Sequence, residues 1–108
     1  DAVTALAGSG PAFVYRFIAA LAEGGEALGL DPAQADRLAR SMVEGAALLA
    51  AGSPETPAEL ARRVTSPGGT TAAGLAALDS DSALARLIEA TLRAARDRGA
   101  ELAAAARA

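Results

Sequence analysis

Apolar side chains recur along this chain in steps of three and four, and proline and glycine interrupt them at readable places. Pro11 suits the first turn of a helix running to about Leu28, because its fixed φ and missing N–H cost nothing there. Phe13, Phe17, Leu21 and Leu28 form one stripe of that helix, with Val14 and Ile18 beside it. The apolar arc is wide, so cover from more than one side is expected. Gly24 and Gly25 lie inside it, each costing about 1 kcal/mol relative to alanine. Such a pair predicts a close backbone approach by another element. Gly29 ends the helix, Asp31 caps the next one, and Pro32 takes its first position.

The second helix, about 32–50, carries Ala35, Leu38, Ala39, Met42, Val43, Ala46 and Leu49 on one face, with Asp36, Arg37, Arg40 and Glu44 opposite. Thr56, Pro57 and Glu59 form a capping box that starts a short helix to about Arg63. A Pro-Gly-Gly turn leads into another short helix, from about Thr70 to Leu78. After a turn at 79–82, Leu84, Leu87, Ile88, Leu92, Ala95 and Leu102 mark a long helix to about Ala104. Only "AVTAL" near the start reads as extended. The pattern predicts an all-α chain, with no internal repeat and no linker that would divide it into domains.

Composition changes this picture in one respect. The hydrophobic fraction is 52%, but much of it is alanine, and the chain holds two Phe, one Tyr and one Met. A buried Leu or Phe contributes about 1.5–3 kcal/mol, and alanine far less, so 108 residues of this kind make a thin core for a monomer. Association that favours only the folded form would supply the rest, and an oligomer is expected. The net charge of −3 lacks the basic footprint that nucleic acid requires. The chain has no cysteine and no histidine, which excludes serine–histidine triads, thiol nucleophiles and ordinary zinc sites. No metal is expected. No apolar run is long enough to span a bilayer, and no basic start with a cleavage site is seen, so a cytoplasmic protein without a membrane role is expected.

Two glycine-bearing turns precede helices. "ALAGSGPAF" begins like a dinucleotide fingerprint with Gly8 and Gly10, but Phe13 stands at the third glycine position. No second strand with a ribose-binding acid follows, and a tight turn explains it better. "TSPGGTT" has no lysine before its last hydroxyl, so it is not a phosphate loop of the Walker kind. It does place backbone N–H groups at a helix N-terminus, with glycines that let a ligand approach and with Ser66, Thr70 and Thr71 as hydroxyl donors. Orphan amides and the helix dipole favour an anion there, and a small carboxylate suits the uncharged surroundings. The plainer alternative is that Ser66 or Thr70 caps the helix while the glycines make the turn. Residue chemistry alone leaves both open.

"VTSPGGTTAAGLAALD" closely resembles the signature of the pyrroline-5-carboxylate reductases, which catalyse the last step of proline biosynthesis. "AVTALAGSGPAFVY", "LAEGGEALGL" followed by Asp31-Pro32, "EGAALLA" and "ARDRGAEL" agree in order and spacing. The resemblance runs over the whole chain and matches the family's C-terminal half.

It implies a helical domain, residues 1–108, that forms an interlocked homodimer and assembles further into decamers. It also implies a small imino acid or proline as ligand near the dimer interface. NADPH or NADH would be supplied by an N-terminal Rossmann domain, so the cofactor-binding residues are unknown within this stretch. In the family motif the serine before Pro-Gly-Gly and the amides after it hold the substrate carboxylate. These correspond to Ser66, Gly68, Gly69, Thr70 and Thr71, and Thr71 sets its hydroxyl against the ring nitrogen as the catalytic group. Ala7 stands where the family commonly has serine, which puts a polar contact near the first turn in doubt. Without a Rossmann domain the chain is expected to be inactive alone, as an excised domain or a truncated form. The rival reading is a non-catalytic helical dimerisation module whose TSPGGTT turn is purely structural.

Overall fold

In a computed structural model, which describes residues 1–107, the chain is helical throughout and has no strand among the described residues. A π-helical turn at Thr4–Gly8 is followed by α1 (Gly10–Ala27), α2 (Pro32–Gly52), α3 (Pro57–Arg63), α4 (Thr70–Leu78), a 3-10 turn at Ser80–Ser82 and α5 (Ala83–Arg107). Among the described residues no helix is long and apolar enough to cross a membrane. The chain divides into two compact units, one made of Asp1–Pro11 with the chain from Thr65 onward, the other of Ala12–Val64.

In the Ala12–Val64 unit the core is small. Ala22, Ala35 and Ala39 are buried, and Ile18 and Leu21 pack against them. α1 and α2 approach closely because alanine and glycine face each other. A Cβ built on Gly25 would lie 3.1 Å from Leu30 Cδ1 and 3.5 Å from the Ala35 Cβ. The backbone approach expected from the glycine pair is not seen: the atoms against Gly25 are side-chain atoms of Leu30 and Ala35, and outside the helix's own backbone nothing lies within 4 Å of a Cβ on Gly24. Much of the predicted apolar face stays in solvent. Val14 and Phe17 on α1 and Leu38, Met42 and Leu49 on α2 are all exposed.

The caps follow the sequence with one exception. Gly29 turns the chain at φ +103°, and the Asp31 carboxylate accepts from the N–H groups of Ala33 at 3.1 Å and Gln34 at 3.3 Å. Thr56 Oγ1 accepts from Glu59 N–H at 3.2 Å. The reciprocal half of the capping box differs, because the Glu59 carboxylate is paired with Arg62. Arg63 ties the end of α3 back to Glu55 at 2.6 Å.

In the other unit the segment expected to be extended is helical. The Asp1 carboxylate accepts from Thr4 N–H at 2.8 Å, the Asp1 carbonyl accepts from Ala5 N–H at 3.0 Å, and Ser9 N–H closes the wide π turn on the Thr4 carbonyl at 3.1 Å. This turn packs on α5 and leaves Ala5 only 3% exposed. Burial of that face and the Asp1 cap outweigh the β preference of Val3 and Thr4. Between α4 and α5, Asp81 (φ 53°) and Ser82 (φ 55°) are both left-handed, a conformation costing about 1–2 kcal/mol per non-glycine residue.

Each cap stands free of the others, so Asp31→Ala and Thr56→Ala should each lower stability by about 1 kcal/mol. Urea unfolding at fixed protein concentration should show the two losses adding in the double variant.

Candidate functional site

The Ser66–Gly69 segment is a tight turn built by its own sequence. Pro67 occupies the second position, where its fixed φ fits, and Gly68 the third, at φ +72°. That pairing is the requirement of a type II turn. The turn closes with Gly69 N–H donating to the Ser66 carbonyl at 3.0 Å. A Cβ at 69 would stand 3.2 Å from that carbonyl oxygen, so a side chain there would require the turn to give by a few tenths of an ångström.

α4 begins directly after the turn. Its N-cap is Gly69 in an extended conformation, and no side chain caps the helix. The first bond into the helix runs from Ala73 N–H to the Gly69 carbonyl at 3.1 Å. Among the described residues, the N–H groups of Thr70, Thr71 and Ala72 therefore remain without an intrachain acceptor. The capping alternative is not met for Ser66 or Thr70, because no side chain bonds the first amides of α4. The structural role of the glycines holds.

The predicted residues thus fall on one stretch of surface. Ser66, Gly68, Thr70 and Thr71 are exposed and Gly69 is half-buried. Gly69 differs from the expectation, since its N–H is engaged within the turn, whereas the N–H of Ala72, which the sequence reading passed over, is free of it. Any helix start without a side-chain cap leaves its third amide in this state, so Ala72 was open to inference. The two arginines preceding the turn are each engaged by a carboxylate, Arg62 by Glu59 and Arg63 by Glu55. The start of α4 itself presents amide and hydroxyl donors, which suits a single small carboxylate.

Two further features lie elsewhere. A groove of about 730 Å³ runs between the N-terminal turn and α5, floored by Ala5, Leu6, Leu84, Ile88 and Leu92 with Arg93 and Arg96 beside them. None of Ser66–Thr71 lines it. The first glycine turn does not fit a dinucleotide, because the residues before Gly10 are π-helical and not a strand. Among the described residues no cluster of three or more carboxylate, histidine or cysteine side chains is placed to hold a metal.

Residues 1–102 match the family model described as pyrroline-5-carboxylate reductase dimerisation. The pyrroline-5-carboxylate reductase of Pseudomonas aeruginosa is 48% identical over 103 residues, covering 95% of this chain and 37% of that protein. The corresponding protein of Synechocystis is 49% identical over 102 residues, covering 94% and 38%. The crystal structure of Plasmodium falciparum pyrroline carboxylate reductase with NADP bound superposes with a TM-score of 0.84 at 31% identity, covering 91% of this chain and 37% of that one. The chain thus spans well under half the length of each of these relatives.

The turn itself is testable without any ligand. Gly68→Ala forces a side chain into the left-handed region and should cost about 1–2 kcal/mol, read by denaturant unfolding. Pro67→Ala should cost less, about 0.4–1 kcal/mol, through the unfolded state alone.

Proposed function

The chain belongs to the pyrroline-5-carboxylate reductase dimerisation family, and from that premise we propose that it forms the dimer interface and the substrate-carboxylate cradle of a cytoplasmic reductase that converts 1-pyrroline-5-carboxylate to L-proline. The observation that carries the cradle is the uncapped start of α4. Ser66 Oγ and the amides of Thr70 and Thr71, with that of Ala72 beside them, receive the carboxylate, and the dipole of α4 adds to their attraction. Gly68 and Gly69 shape the turn so that nothing larger than hydrogen stands over the approach.

Reduction of the C=N bond places a hydride on carbon and leaves the ring nitrogen to take up a proton. Thr71 Oγ1 is the group of this chain assigned to that nitrogen, as polariser or relay. No histidine is needed for this, and orientation of the imine carries most of the catalytic work. A reduced nicotinamide, NADPH or NADH, supplies the hydride. Among the described residues there is no strand to build a Rossmann-type site, so the main dinucleotide site is assigned to a region outside this stretch, and the stretch alone is expected to be inactive.

The dimer reading rests on the apolar surface left over. Phe17, Leu38, Met42 and Leu49 lie on faces that the helical pattern marks as interior, yet all are exposed in the single chain. Soluble monomers rarely leave contiguous apolar faces uncovered. A homodimer covers them, with decamers of such dimers as the further assembly.

In the full-length enzyme, Thr71→Val should lower kcat about tenfold to a hundredfold with little change in KM, as for loss of a donor aimed at developing charge. Ser66→Ala should raise KM about tenfold, the loss of one hydrogen bond to a charged group. Steady-state kinetics on both variants decide it. An unchanged kcat for Thr71→Val removes the polariser role, and an unchanged KM for Ser66→Ala removes Ser66 from the cradle.

A further inference from the structure

α4 is nine residues long and none of them is buried, so lateral packing within the chain does little to fix its direction. Its orientation is set at its two ends. One end is the Ser66–Gly69 turn. At the other, Asp79 N–H closes on the Leu75 carbonyl at 2.8 Å, and the chain then reverses through the 3-10 turn at Ser80–Ser82, which packs on both α4 and α5. This elbow has no glycine, although both Asp81 and Ser82 are left-handed. Two consecutive side-chain-bearing residues in that region are unusual, and aspartate tolerates it better than serine.

Backbone and side-chain hydrogen bonds hold the elbow, Ala83 N–H donating to the Ser80 carbonyl among them. Ser82 N–H donates to the Asp79 carbonyl at 2.9 Å. Arg86 Nη1 donates both to the Asp81 carboxylate at 2.8 Å and to the Asp81 carbonyl at 3.2 Å. Arg86 stands in the first turn of α5, where the helix dipole disfavours a cation. Arg93 and Arg98 pair with Glu89 and Glu101 of their own helix, whereas Arg86 reaches back across the junction.

We propose that Arg86 is a latch on a strained elbow and, through it, a positioning residue for α4. The consequence for substrate rests on the cradle reading above; the latch does not. Both side chains of the pair are largely exposed, so its Coulombic contribution is small. Its effect is geometric. A guanidinium bonded at once to a side chain and to the carbonyl of the same residue fixes the orientation of that peptide, and hence the exit of α4.

The test uses amide spectra and denaturant unfolding of the 108-residue chain without ligand. Arg86→Ala should move the resonances of Gly69–Ala72, about 13 Å away along α4, and Arg86→Lys should restore them in part. Ser82→Gly should relieve the strain, lowering the unfolding equilibrium constant roughly threefold, while leaving those resonances in place. Unmoved Gly69–Ala72 amides in Arg86→Ala would overturn the positioning role. A less stable Ser82→Gly would overturn the strain. Since no ligand enters, a failure of L-proline to bind the chain would remove the cradle and leave the latch standing.

Discussion

The residues most completely withdrawn from solvent are all alanines: Ala5, Ala22, Ala35 and Ala39, with Ala35 at 2% exposure. Alanine lets helices approach closely, as α2 does at Gly25 of α1, but each buried methyl contributes little free energy. Many of the larger apolar side chains, Phe17, Leu38, Met42 and Leu49 among them, are exposed in the single chain. Small residues bring the helices together inside the chain, and large ones are left for an external surface. Stability and association are then one problem, because the free energy missing from the core lies on the uncovered faces.

The turn before α4 shows how the same chain starts a helix from backbone geometry alone. Pro67 and Gly68 set a type II turn, the turn satisfies Gly69 N–H internally, and the helix starts without a side-chain cap. Amides that other helices direct to Asp31 or Thr56 meet no side-chain cap here, and the proposed carboxylate cradle rests on that feature.

Most of the fold was legible because helix ends are decided by backbone sterics. Pro32 and Pro57 cannot lie inside a helix without cost, Gly29 must supply a positive φ, and Asp31 and Thr56 carry the right oxygen at the right offset. The N-terminal segment was misread because Val3 and Thr4 favour strands locally, while the Asp1 cap and packing on α5 decide otherwise. Whether Ser66 or Thr70 caps α4 stayed open in the sequence, since spacing alone does not say whether a side chain reaches the helix start. The family motif located Ser66 through Thr71, but the engagement of Gly69 N–H and the freedom of Ala72 N–H depend on turn geometry. The latch at Arg86 was not visible at all, because nothing in "DSDSALAR" signals a left-handed pair. Periodicity likewise marked the apolar faces without saying what covers them.

The most direct measurement is the solution mass of the chain by sedimentation equilibrium over a wide concentration range. A species of twice the 10.6 kDa chain mass, persisting on dilution and losing helicity only as it dissociates, is the expected result. A well-folded monomer at low concentration would contradict it, and would mean that the alanine core is sufficient and the exposed leucines serve another purpose.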